Sequence, residues 1–316
     1  MLPTCVCEPL TKEPPTAERP TPLAVIVPCF NEADSVGKLR QNLERLRNAL
    51  PAMYAAEFLL VDDGSSDGTA EALEKVFRDF PAARILRHER NLGIAAAIST
   101  GIRAAGAETV CSIDADCSYD PVQLIDMLPL LTGDVAMVVA SPYHPLGKVN
   151  HVPAWRLKLS KAASGLYRMV LRQKLHTYTS CFRAYRRSAV VDIPLRHNGF
   201  VGIAELVCEL DRRGEKVVEC PATLDIRTTG QSKMRVLRAG WAHLQLIVGA
   251  GCSRLLGRRV APSARQLKKY LIPRENDRFP RLFDNAAHHE MHPVDSRQQP
   301  PAMPNLTDFA PRFTSG

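Results

Sequence analysis

Residues 109–121 read TVCSIDADCSYDP, and this stretch decides the fold. A short apolar run, Thr109–Ile113, has the character of a buried strand. It breaks at Asp114-Ala115-Asp116, and Pro121 then opens a helix that runs to Leu131. The same pattern repeats on both sides. Toward the N-terminus lie a strand at Leu23–Cys29 (LAVIVPC) and a helix at Asp34–Leu50, with apolar Val36, Leu39, Leu43, Leu46 and Leu50 at helical spacing. Next come a strand at Glu57–Val61, a helix at Thr69–Phe80 stopped by Pro81, a strand at Arg84–Leu86 and an alanine-rich helix at Leu92–Ala107. Beyond Leu131 a further strand spans Val135–Ala140. Strands that are apolar on both faces and alternate with helices predict an α/β, Rossmann-like fold, a mainly parallel sheet with helices on both faces. Ligands of such sheets bind at the carboxyl ends of the strands.

The polar residues gather at those ends. Pro28–Glu32 closes the first strand, Asp62–Asp67 the second and Asp114–Asp116 the fourth. Three polar strand ends on one sheet edge, two of them rich in acids, suit a cation or hydroxyl groups. After the first strand the chain reads PCFNEADS, with neither GxGxxG nor GxxxxGK[ST], which disfavours dinucleotide oxidoreductases and P-loop NTPases. Two carboxylates two residues apart can reach one hard divalent ion and leave positions for diphosphate oxygens and water.

Composition bounds the rest. The 316 residues are 45% hydrophobic and 23% charged, which excludes a wholly disordered or fibrous protein. Prolines crowd both ends, so the expected organisation is a Pro-rich disordered stretch 1–22, one domain over 23–257, and a basic, Pro-rich, disordered tail 258–316. Net charge is +8, but residues 254–316 hold 11 Lys/Arg against 6 Asp/Glu, so the body is only mildly basic and no nucleic-acid partner is expected. His288, His289 and His292 sit in that tail and are read as tail residues rather than a metal site. Nine cysteines without a CxxC pair point to a reduced, cytoplasmic setting. The N-terminus lacks the basic start and apolar run of a signal peptide. The longest uncharged stretch, 239–253, is too short to span a bilayer.

VIVPCFNEADSV (25–36), LLVDDGSSDGT (59–69), RNLGIAAAISTGI (90–102) and SIDADCSYDP (112–121) occur in an order that resembles the family 2 glycosyltransferases of GT-A fold. The likeness is greatest to the dolichol-phosphate (polyprenol-phosphate) mannosyltransferases. It continues through SCFRAYRR (180–187), GFVGIAELV (199–207) and RTTGQSK (227–233). The resemblance implies an inverting, metal-dependent transfer of a hexose, mannose or glucose, from a GDP- or UDP-linked sugar to a polyprenyl or dolichyl phosphate. By it Pro28, Phe30, Glu32, Val61, Asp62, Asp63, Asp114 and Ala115 hold the nucleotide sugar. Asp114, Asp116 and Ser118 hold Mg2+ or Mn2+, and Arg156 and Ser160 meet the acceptor phosphate. Asp116, Arg183, Glu205, Arg227 and Lys233 are the implied catalytic set.

The chain also departs from that family. Ser141-Pro142-Tyr143 stands where an Arg-Tyr is usual, His176-Thr177-Tyr178 replaces an Asp before the FRxYR segment, and Ser118 replaces a Gln in the metal loop. A rival reading is transfer to a sugar hydroxyl, which needs a general base, usually an acidic pair where this chain has Ala204-Glu205. Another is a non-catalytic nucleotide-sugar-binding protein, against which the intact DxD argues. A lipid acceptor without a spanning helix predicts peripheral contact at the cytoplasmic membrane face through 234–259. There Leu237, Trp241, Leu244, Val248 and Leu255 fall at helical spacing, with Arg235, Arg238, Arg254, Arg258 and Arg259 toward the ends. The same stripe also suits a last core helix.

Overall fold

A computed structural model describes residues 19–80, 82–150, 152, 154–225 and 236–255. The proline-rich ends, with His288, His289 and His292, lie outside the described residues. In chain order the elements are β1 (Thr21–Cys29), α1 (Val36–Ala49), β2 (Tyr54–Asp62), α2 (Thr69–Val76), β3 (Ala83–Arg87), α3 (Ile94–Ala104) and β4 (Thr109–Ser112). Then come α4 (Leu124–Met127) between two 3-10 turns, β5 (Val135–Ser141), β6 (Lys148–Val149), α5 (Ala154–Val170) and β7 (Arg183–Arg186). The last are α6 (Arg187–Val190), α7 (Phe200–Arg213), β8 (Lys216–Pro221), β9 (Thr223–Leu224) and α8 (Val236–Leu255).

Seven strands form one sheet in the order β3-β2-β1-β4-β7-β5-β8. Along β1, Ala24 and Ile26 face one core with α3 and α7, while Leu23, Val25 and Val27 face the other with α1. Both faces are therefore covered, as the doubly apolar strands require. Gly101 lets α3 lie directly on β1, since a Cβ there would meet the Ile26 side chain at 2.4 Å.

Three features depart from the local reading. The helix expected over Pro121–Leu131 is α-helical only at Leu124–Met127, between two 3-10 turns, the second of which holds Pro129. The helix from Thr69 ends at Val76 instead of Phe80, because Phe77 and Phe80 turn into the core against Phe58. More consequentially, β7 enters between β4 and β5 antiparallel to both. Its four residues, RAYR, carry little local strand signal. The chain leaves β1 toward β2 and β3 on one side and returns to β4 on the other, which opens a crevice at the carboxyl ends of β1 and β4.

Candidate active site

The polar ends of β1 and β2 are tied to each other. The N–H groups of Asn31 and Glu32 donate to Ser65 Oγ (2.9 Å) and Thr69 Oγ1 (2.8 Å), and Ser66 N–H donates to Asn31 Oδ1 (2.9 Å). Asn31 has a φ of 51°, a left-handed turn that asparagine tolerates. Asp67 accepts from Thr69 and from Ala33 N–H. Burial opposes its charge, but these bonds outweigh that and hold its carboxyl below the usual range. Pro28 and Val61 are register partners at the mouth of the crevice, with Phe30 and Glu32 half-buried just beyond.

The adjacent acids Asp62 and Asp63 have different surroundings. Asp63 accepts from Leu92 N–H (2.9 Å) and Gly93 N–H (2.7 Å) and lies 2.7 Å from His88 Nδ1, so its carboxylate organises the turn into α3. Asp62 is fully buried; its Oδ1 accepts from Ser65 N–H, and its Oδ2 makes no hydrogen bond, with Arg87 Nε 3.4 Å away.

At the end of β4 the chain makes a tight turn through Cys117, whose φ is 51°. This brings Ser118 back so that both its N–H (2.9 Å) and its hydroxyl (2.8 Å) donate to Asp116 Oδ1. Ser118 O in turn accepts from Asp225 N–H at 2.9 Å, which fastens the loop beside β6 and β9. Asp114, Asp116 and the Ser118 hydroxyl offer only hard oxygen donors, the chemistry Mg2+ and Mn2+ prefer. Among the described residues no three His, Cys, Asp or Glu side chains converge as a closed metal cage. Oxygens from a bound molecule would complete the shell. The donor set therefore fits a divalent ion that arrives with, or is completed by, a diphosphate.

Next to this loop is a cavity of about 180 Å³ lined by Asp114, Tyr119, Pro142, Tyr143, Ser160, Thr177, Thr179, Ser180, Cys181, Phe200 and Leu224. Its polar wall is almost entirely hydroxyls. Among the lining residues, Thr179 and Ser180 have no role implied by the sequence motifs. The uncharged run TYTS (177–180) is their only signal, and it becomes legible once β7 carries that run to the edge of β4.

The structure brings Pro28, Phe30, Glu32, Val61, Asp62, Asp114, Ala115, Asp116 and Ser118 to the carboxyl edge of the sheet, with Ser160 among the residues that line the cavity. It places Arg183 elsewhere. That side chain is fully buried between β7 and α7, donating to Ile203 O and Tyr178 O at 2.8 Å each. Glu205 is also buried, and its Oε2 accepts the N–H groups of Arg196 and His197 at 2.9 Å. Arg227, Lys233 and the side chain of Arg156 lie outside the described residues. The seven described cysteines are unpaired, and burial pushes the thiols of Cys29, Cys111 and Cys208 up, so they act as small hydrophobes.

The model for glycosyl transferase family 2 matches residues 24–193. The polyprenol monophosphomannose synthase of Mycolicibacterium smegmatis is 32% identical over 230 residues, covering 70% of this chain and 84% of that protein. The undecaprenyl-phosphate mannosyltransferase of Micrococcus luteus is 32% identical over 216 residues, 66% of this chain and 86% of that one. Among solved structures, glucosyl-3-phosphoglycerate synthase from Mycobacterium tuberculosis, in complex with Mn2+, UDP and its product, superposes with a TM-score of 0.55. Identity there is 16%, over 78% of this chain and 82% of that one.

Proposed function

We propose, from the premise that this chain belongs to glycosyl transferase family 2, that it transfers a hexose from a nucleoside-diphosphate sugar to a polyprenyl phosphate with inversion. It is a glycosyltransferase with the GT-A fold. The observation that carries the finer reading is the distribution of acids. Among the described residues lining the cavity, Asp114 is the only one. Glu205, the acid best placed by sequence to serve as a base, is occupied by the 196–197 backbone. A sugar hydroxyl would need a base to remove its proton. A phosphate monoester is already an anion and needs none. The names of both relatives, a polyprenol and an undecaprenyl-phosphate enzyme, support the same acceptor class.

On this reading an oxygen of the acceptor phosphate attacks the anomeric carbon from the face opposite the donor diphosphate. The new carbon–oxygen bond forms as the old one breaks, and the nucleoside diphosphate leaves. Pro28, Phe30, Glu32, Val61 and Asp62 hold the nucleoside, while Asp114, Ala115 and Asp116 face the diphosphate. Ser118 fixes the Asp116 carboxylate, and Asp63 fixes the turn behind the nucleoside. A divalent ion, Mg2+ or Mn2+, held by Asp114 and Asp116 would neutralise the leaving diphosphate. Arg183 and Glu205 act as positioning residues. Arg156, Lys233 and Arg227 supply positive charge around the two phosphate groups, with Ser160 donating to the acceptor.

The acceptor would be met at a membrane surface. No described helix is long and apolar enough to cross a bilayer. On α8, Ile247 points into the core while Trp241, Leu244 and Val248 are exposed, so the helix serves both the core and the surface. Neighbouring α5 exposes Trp155, Leu159, Leu166 and Met169 along one stripe. With exposed Lys158 flanking the α5 stripe, this two-helix face suits an anionic bilayer interface.

The test is product analysis with the full chain, GDP-mannose or UDP-glucose, Mn2+ and undecaprenyl phosphate in detergent. Formation of hexosyl undecaprenyl phosphate is expected. Transfer to soluble sugars alone would overturn the acceptor assignment.

A further inference from the structure

One cation stands beside a ring of the cavity wall. Lys161 follows Ser160 on α5, and its Nζ stands 5.4 Å from the centroid of the Tyr143 ring. Tyr143, Ser160 and Asp114 all line the same cavity. The ammonium is therefore held against a ring that lines the cavity.

The way it is held matters. Lys161 is exposed and forms no ion pair among the described residues. A contact with a ring face orients an ammonium without neutralising it, so its charge stays available to an anion. Tyr143 is itself fixed. The loop after β5 folds back, with Gly147 N–H on His144 O at 2.7 Å, and a Cβ at Gly147 would meet Ser141 O at 2.6 Å. Pro142 stands where the enzymes this chain resembles carry an arginine, so the strand exit itself offers no cation. Lys161 on α5 brings a cation to the ring of the next residue, Tyr143.

We infer that Lys161, steered by the Tyr143 ring, contacts the phosphate of the lipid acceptor and serves as a binding residue for it. This rests on the lipid-phosphate reading above. Ser160 and Lys161, adjacent on one helix, then present a hydroxyl and an ammonium to the same phosphate group.

The experiment is steady-state kinetics of the full chain with GDP-mannose, Mn2+ and undecaprenyl phosphate in detergent micelles, alongside calorimetric donor binding without acceptor. Lys161→Gln is expected to raise the acceptor KM about ten-fold, the loss of one charge-assisted contact, while donor affinity holds. Lys161→Arg should recover most of the loss. Tyr143→Leu, which removes the ring face, should move toward Lys161→Gln. An acceptor KM within two-fold of wild type in Lys161→Gln overturns the inference, as does an equal loss of donor and acceptor affinity. If the wild-type chain itself fails on the lipid phosphate but glycosylates a sugar hydroxyl, the acceptor reading fails first and takes this inference with it.

Discussion

Glu205 Oε2 lies 3.1 Å from His197 Nδ1 and accepts the backbone N–H of the same residue at 2.9 Å. One carboxylate oxygen thus fixes the loop that leads into α7. The next residue, Asn198, uses its carbonyl to accept from Ala95 N–H (2.7 Å) and Ala96 N–H (3.1 Å) at the start of α3. Glu205 therefore shapes one wall of the crevice from behind.

That arrangement separates a positioning role from a base. Glu205→Gln keeps an acceptor oxygen but loses its charge, and is expected to lower stability by about 1–2 kcal/mol and turnover by less than about ten-fold. Removing a general base should instead cost about 10²–10⁴-fold. Thermal unfolding and turnover on one preparation distinguish the two, and a loss in the larger range with unchanged stability would restore Glu205 as the base.

Asp116→Asn should cut turnover by about 10²-fold or more, since the developing charge on the leaving diphosphate loses a preorganised partner. Its Oδ1 contacts to Ser118 can persist in the amide, so the melting temperature should hold. EDTA should abolish donor binding in the wild type and added Mn2+ restore it. Undiminished transfer in EDTA would sink the metal assignment.

Flotation with anionic liposomes tests the two-helix face. Wild type is expected to rise with the vesicles at low salt, and high salt should weaken binding because nearby basic residues sense the surface potential. Trp241→Ala and Trp155→Ala should each reduce flotation without changing the fold, since both side chains are more than half exposed. A wild-type protein that stays at the bottom of the gradient argues for an ordinary surface helix pair.

His243 makes the α5–α8 contact sensitive to pH. Its Nδ1 is 2.7 Å from the Tyr167 hydroxyl, and burial, aided by the nearby His197, holds the imidazole below its ordinary value of 6.5. The unfolded chain therefore takes up a proton at a pH where the folded chain does not. The stability His243 contributes is present above that value and lost as the pH falls through it. Between about pH 7.5 and about pH 5.5 the melting temperature of wild type should drop more than that of His243→Gln. Parallel curves for the two proteins would show that the contact does not titrate.

Much of this protein could be read directly from its chain. The β1–β5 core with its intervening helices and the acidic strand ends are written in hydrophobic period and turn chemistry, both properties of neighbouring residues. So is the place of Asp114 and Asp116, because a strand that turns polar at its carboxyl end must deliver those side chains to the sheet edge. The tertiary structure alone decided what each charged group touches. Asp62 and Asp63 are adjacent and chemically identical, yet Asp63 is bound to the turn into α3 while Asp62 is buried against the Ser65 N–H with Arg87 beside it. Arg183 sits in a basic run that suggests surface, and the antiparallel insertion of β7 buries it on two backbone carbonyls. Ser160, Thr177 and Tyr143 line one cavity, with Lys161 against the Tyr143 ring, only because α5 and the strand exits converge there. Periodicity records which face of an element is apolar. The partner of a polar side chain is set by which distant loops the sheet order brings together, and that information is not local.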